Sequence, residues 1–353
     1  MNIFFNLIYG GAFVGSLTLA LILVPIVKKL AWQLGIIDRA GTKERKIHST
    51  DKPLLGGLAV FISFFVIIGF IYWNSWGNFS RISGGYLLAI FGGSILIMIG
   101  GILDDKFNLK PWQQIIWPLL ATLVVLSAGI KIGYVTNPLG GPSNSIIYLI
   151  PTVGWLISFA WLMGMMYTTK FLDGLDGLAA GIGIIAALII FILSLNWDVP
   201  LSGTGIMALA LAGALAGFLF FNWQPAKIFL GEGGSIYIGF MLGVLSIISG
   251  SKIATTLLVV GLPALDVGWV FIQRLVRGES PFSHADRKHL HYRLVDLGFS
   301  SQGAVLFLYL LSLTFGATAI LAESFGKLIA LAVLSGLMAV LALLIYLKSK
   351  QKA

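Results

Sequence analysis

The chain is dominated by stretches of about 20 consecutive apolar residues, and that feature leaves few folds open to it. A helix needs roughly 20 such residues to cross the hydrocarbon of a bilayer, where a backbone group without an internal partner cannot stand. Eleven segments meet this description, at about 4–27, 54–73, 85–103, 113–130, 146–169, 178–196, 203–221, 234–249, 253–273, 302–321 and 326–347. Of the 353 residues, 58% are hydrophobic and 10% charged, whereas a soluble globular chain carries roughly 25% charged residues. No soluble interior hides that much apolar surface, so lipid is the solvent for most of the chain. The expected fold is all-α: a polytopic integral membrane protein of about eleven transmembrane helices, a single membrane domain over 1–353. The first segment is too long and uninterrupted for a cleaved leader and is expected to be retained. The absence of cysteine excludes thiol catalysis, thiolate metal sites and disulfides.

The net charge of +9 would suggest nucleic acid until its distribution is considered. The segment 28–53 carries seven Lys/Arg, and the positive-inside bias makes it cytoplasmic, with the N-terminus outside and the C-terminus cytoplasmic. With that choice 19 of the 23 Lys/Arg fall inside, and only Arg81, Lys131, Lys252 and Lys327 fall outside. Topology therefore explains the positive charge, and no nucleic-acid partner is implied.

Carboxylates are little governed by that bias, so their placement is independent information. Twelve of the fourteen acids and all four histidines lie on the cytoplasmic side. Carboxylates hold Mg²⁺ and Lys/Arg neutralise phosphate oxygens, so such a face suits a divalent metal and phosphates. The loops 28–53, 104–112, 170–177, 222–233 and 274–301 would form it. Asp104 and Asp105 end the third span, either as solvated end-of-helix charges or as a functional pair. Asp173 and Asp176 are three apart, which on a helix puts both on one face, with glycines between them that admit close approach; a capped helix start is the plainer reading. Glu232 stands among glycines where the eighth span begins, and with Ser235 that turn could seat an anion. His284, His289 and His291 crowd with Arg287, Lys288 and Arg293. A zinc triad is conceivable there, but imidazoles beside guanidinium groups suit a diphosphate better, and a solvated basic loop is the plain alternative. GALAG at 213–217 reads as helix packing. The charges cluster at one membrane edge, which disfavours a transporter with a midplane site.

Taken together, RKIHSTDKPLLGGLA (45–59), the pair at 104–105, FLDGLDGLAAG (171–181), FLGEGGS (229–235), PALD (263–266) and DRKHLHYRLVDLG (286–298) resemble the polyprenyl-phosphate N-acetylhexosamine-1-phosphate transferases over nearly the whole chain. That resemblance implies transfer of a sugar 1-phosphate from a UDP-N-acetylhexosamine, UDP-GlcNAc foremost, to undecaprenyl phosphate. Mg²⁺ (or Mn²⁺) assists and UMP is released, starting a cell-envelope polysaccharide at the cytoplasmic face of the inner (plasma) membrane. It implies Asp104, Asp105 and His289 as catalytic residues, and Asp173, Glu232 and Asp105 as metal ligands. Lys46, His48, Lys52 and Lys170 would contact the anionic substrates, as would Asp176, Arg287, His291 and Arg293. A homodimer is expected by the same analogy. The chain departs from the family pattern at Tyr167 and Lys170, where two Asn are usual, and at Glu232, where Asp is usual. Gln114 replaces a Lys, Pro118 a Gln and Tyr292 a His. A paralogue that binds polyprenyl phosphate or nucleotide sugar without turnover is the alternative those changes raise.

Overall fold

The structure, a computed structural model, describes residues 3–40, 50–76, 79, 82–137, 146–197, 201–250, 253–276, 278 and 289–352. Its helices are α1 (Ile3–Leu34), α2 (Gly56–Trp73), α3 (Gly84–Phe107), α4 (Pro111–Ser127), α5 (Pro151–Leu172), α6 (Leu178–Trp197) and α7 (Gly203–Asn222). They continue as α8 (Gly231–Ile248), α9 (Ile253–Val259), α10 (Gly261–Val276), α11 (Leu290–Asp296), α12 (Ser301–Leu321) and α13 (Ser324–Lys352). The described residues also form two small antiparallel ladders, β1 (Ile37–Asp38) with β2 (Lys52–Pro53), and β3 (Tyr134–Thr136) with β4 (Ile146–Tyr148).

Each of the eleven expected segments falls on a helix or helix pair. Among the described residues seven helices are long and apolar enough to cross a membrane, or eight if the bent pair α9–α10 counts as one span. The fourth segment is a 17-residue helix, only about 25 Å long at 1.5 Å per residue. The fifth starts late: Pro151 occupies the first helical turn and disfavours helix in the residue before it, so 146–148 is strand instead. The ninth is not one helix. It bends by 85° between α9 and α10, where Gly261 and Pro263 interrupt the apolar run and Pro263 lacks the N–H to continue it.

Serine hydroxyls start several helices by accepting from the third backbone N–H: Ser83 from Tyr86, Ser202 from Gly205 and Ser300 from Gly303, at 3.2, 3.2 and 3.0 Å. α7 and α8 are the most enclosed and form the centre. α1, α2 and α6 pack on α7, and α2, α3 and α5 pack on α8. Large apolar side chains such as Leu7, Leu88, Leu156 and Leu310 face outward, as a lipid solvent requires. The GALAG segment is a packing surface: a Cβ on Gly213 would strike the Phe13 carbonyl, and one on Gly217 the Leu17 carbonyl.

Candidate active site

The N-terminus of α8 is rich in glycine because three helices meet there. A Cβ on Gly57 of α2 would overlap the Cα of Gly234, and one on Gly101 of α3 would overlap Gly233. Gly231 has φ 75°, and a Cβ there would strike the Asp105 carboxylate. The chain entering α2 runs against the chain entering α8. Phe229 N–H donates to Pro53 O (2.9 Å), Gly56 N–H to Phe229 O (2.9 Å) and Gly57 N–H to Leu230 O (2.8 Å). Lys52, paired with Asp38 across β1–β2, is thereby carried to the edge of this junction.

The anion seat expected at this helix start is taken by the protein itself. Glu232 N–H donates to both carboxylate oxygens of Asp105, at 3.1 Å each, so a side chain of α3 meets the positive end of α8. Ser235 turns inward, donating to Glu232 O at 3.1 Å. Asp104 does something different, because neighbours in a helix project about 100° apart. Its Oδ1 accepts from Leu109 N–H (2.8 Å) and from Gln114 Nε2 (3.0 Å). It thus closes the turn between α3 and α4, where Asn108 sits at φ 51°. One carboxylate of the expected pair holds α8 and the other holds the turn.

Gln114 links that turn to α5. Its Oε1 accepts from Lys170 Nζ at 3.0 Å, and Lys170 forms an ion pair with Glu232. The ammonium also lies 5.6 Å from the centre of the Tyr167 ring. Asp104, Gln114, Lys170 and Glu232 therefore form one polar chain across α3, α4, α5 and α8. Gln114 was absent from the expected site; only its place in a position where a Lys is usual marked it.

Asp173 and Asp176 do not share a helical face. They lie in the turn between α5 and α6, where Gly174 and Gly177 (φ 82°) interrupt the helix. Asp176 Oδ2 accepts from Ala226 N–H at 2.8 Å. Asn222 Oδ1 accepts from Gly177 N–H (3.0 Å) while its Nδ2 donates to Ile228 O (2.9 Å). Together they lash residues 222–230, the approach to α8, to the turn. Enclosure by protein, then the charges of Glu232 and Asp176, push the Asp173 carboxyl up to about 7.

His289 begins α11, and its Nδ1 stands 2.9 Å from Asp266 Oδ2 of α10, both side chains buried. Asp266 stands in the PALD segment, and an acid within an apolar run is the sequence signal for it. The His289 ring stacks between Phe171 (5.3 Å, 23°) and His291 (5.9 Å, 1°). His291 Nε2 is buried against Gly174 and has no hydrogen-bond partner among the described residues. Burial, then the neighbouring His289, lower the His291 pKa to about 3, so near neutral pH it offers a diphosphate no positive charge. Arg293 stands half-buried on the same short helix. Lys46, His48 and Arg287 lie outside the described residues. The rest forms one connected region, since Asp105 is in electrostatic reach of Asp173 and Gly174 touches His291.

Among the described residues no three acids or histidines converge in metal-ligating geometry. The donor set nevertheless fits a hard cation. Asp105, Asp173 and Glu232 are oxygen donors that raise one another's electrostatic energy, which a divalent ion would relieve.

The profile of Glycosyl transferase family 4 matches residues 87–250. The probable undecaprenyl-phosphate N-acetylglucosaminyl 1-phosphate transferase of Bacillus subtilis is 32% identical over 330 residues, 89% of this chain and 84% of that protein. Decaprenyl-phosphate N-acetylglucosaminephosphotransferase of Mycolicibacterium smegmatis is 31% identical over 318 residues, 80% of this chain and 74% of its own. The phospho-N-acetylmuramoyl-pentapeptide-transferase of Prochlorococcus marinus is 28% identical over 287 residues, 77% of this chain and 75% of that protein.

Proposed function

The chain belongs to glycosyl transferase family 4, and from that premise we propose that it transfers GlcNAc 1-phosphate from UDP-GlcNAc to a polyprenyl phosphate, undecaprenyl phosphate in particular. An oxygen of the lipid phosphate forms a bond to the sugar-bearing phosphorus. The bond from that phosphorus to the bridging oxygen breaks, and UMP leaves with the electron pair. The lipid phosphate is largely ionised near neutral pH, so positioning and charge screening carry the reaction more than proton removal does.

The observation that carries this reading is the Asp105 carboxylate held on the start of α8 beside Asp173, Glu232 and Lys170. Mg²⁺, with Mn²⁺ as a substitute, would be held by Asp105 and Asp173 and would screen the phosphates. Glu232, the third expected ligand, reaches it only where Lys170 gives up its ion pair. Lys52 and Arg293, with Lys46 and Arg287, supply the positive charge that two polyanions need, and His48 contacts the same substrates. His289, fixed by Asp266 through Nδ1, is left with Nε2 for the substrate. Asp104 shapes the floor between α3 and α4.

The protein spans the plasma membrane eleven times, with its N-terminus outside, its C-terminus cytoplasmic and its active face cytoplasmic. It acts as a homodimer that starts a cell-envelope polysaccharide.

The test is UMP release by purified protein given polyprenyl phosphate, UDP-GlcNAc and Mg²⁺. Turnover that requires all three is expected. Binding of either substrate without UMP would favour the non-catalytic paralogue, a reading supported by the replacements at 114, 170 and 232.

A further inference from the structure

We propose that Lys170 is a resident counter-cation of this site, which offsets the charge of Glu232 and keeps that carboxylate from ligating the divalent ion. The inference rests on the reading above for the identity of the ion and of the acids around it. It stands on how firmly the ammonium is held. Lys170 pairs with Glu232 at side chains only 16% and 17% exposed, so water and salt screen the pair less than they screen one at a surface. Its second anchor is Gln114, whose amide orientation is fixed from both ends. Nε2 donates to Asp104 Oδ1 and Leu109 O, each at 3.0 Å, while Oε1 faces the ammonium at 3.0 Å. A flipped amide would set NH₂ against NH₃⁺ and oxygen against carboxylate. The Tyr167 ring adds a third contact.

A divalent ion ligated by Glu232 would stand within a few ångströms of that ammonium, and like charges at such a distance in a half-buried site repel strongly. Either the ion takes Asp105 and Asp173 and leaves Glu232 to Lys170, or Lys170 must break three contacts. The fixed chain from Asp104 to Glu232 favours the first arrangement. A Lys at 170 and a Gln at 114, side chains in direct contact, also deliver one positive charge to the place where the family pattern supplies it from 114.

The experiment measures Mn²⁺ binding by electron paramagnetic resonance, on the full-length protein in detergent without substrates. Lys170→Gln, by releasing Glu232, is expected to bind Mn²⁺ at least about tenfold more tightly than wild type. Lys170→Gln/Glu232→Gln, a neutral pair of similar shape, should return to within about threefold of wild type. Lys170→Arg, which keeps the charge, should match wild type. Unchanged or weaker binding by Lys170→Gln overturns the proposal. So does a double variant that binds more than about threefold more weakly than wild type, since Glu232 would then be a ligand. Should Lys170→Gln not yield folded protein, the double variant decides. Absence of saturable Mn²⁺ binding by wild type also overturns it. A wild-type protein that releases no UMP would remove the transferase reading and leave these affinities standing.

Discussion

The backbone N–H of Glu232 is shared between the two carboxylate oxygens of Asp105, 3.1 Å from each and 127 residues away in the chain. A carboxylate at a helix N-terminus is stabilised by the exposed N–H groups and the helix dipole; here the contact also fixes α3 to α8 at the site. Asp105→Asn keeps an acceptor for the N–H but loses the charge. It is expected to hold the apparent Tm within a few degrees while lowering UMP release by more than about a hundredfold. Asp105→Ala removes the acceptor too, and a poorly solvated N–H left unpaired costs about 1–3 kcal/mol, so it should melt measurably lower. Equal melting of the two variants would show that the contact does not hold the helices.

Asp173 sets a pH dependence. Its carboxyl is pushed up to about 7 by its enclosure and by Glu232 and Asp176, so below that pH the metal-free protein carries a proton that a cation must displace. Mg²⁺ affinity should fall as pH drops below about 7, by up to tenfold per unit, and binding at pH 6 should release about one proton. Calorimetry in buffers of different ionisation enthalpy measures that release. For stability the sign is opposite to that of a salt-bridged acid. The folded metal-free protein holds this proton more tightly than the unfolded chain, so stability falls as pH rises from about 4 to 7. Asp173→Asn should flatten both dependences; a proton release that survives it would assign the proton elsewhere.

That the chain is built of long apolar helices was readable because hydropathy is a local property of the chain. The partners were not, because they are set by packing. Nothing near Glu232 indicates that Asp105 fills its helix start. Spacing put Asp173 and Asp176 on one face, and only the turn at Gly174 and Gly177 separates their tasks. The FLGEGGS glycines looked like an anion cradle, yet their small size serves the backbones of α2 and α3. His291 read as a contact for a diphosphate, and burial, then His289, lower its pKa to about 3. Asp266 was visible as an acid in an apolar run, but its partner His289 follows 23 residues later in the chain.

That pair yields a separate prediction. Asp266 accepts from Nδ1 when His289 is neutral with its proton there, leaving Nε2 free to accept a hydrogen bond, and it equally supports the protonated ring. Asp266→Asn can instead donate to Nδ1 and favours the other tautomer, so turnover should drop by about a hundredfold or more with little change in KM. The pH profile should shift with it, which a role in packing alone would not produce. His291→Gln, replacing a neutral group, should lower the apparent Tm without displacing that profile.

The close crossing of α3 and α8 allows the site to be disturbed without altering any charge. At Gly101 a Cβ would run into the Cα and N of Gly233, backbone on both sides, so neither helix yields by a rotamer change. Gly101→Ala must therefore push the start of α8 away from α3 and lengthen the Asp105 to Glu232 contact. Gly69, on α2, has nothing within 4 Å of where its Cβ would go, and Ala there should be neutral or stabilising by up to about 1 kcal/mol. The expectation is a lower apparent Tm, weaker Mn²⁺ binding and at least about tenfold slower UMP release for Gly101→Ala, with Gly69→Ala indistinguishable from wild type in all but a small rise in Tm. A Gly101→Ala protein that melts lower yet binds Mn²⁺ and turns over normally would mean that the acids are positioned from within α3 and α5, and that the seat on α8 serves packing alone.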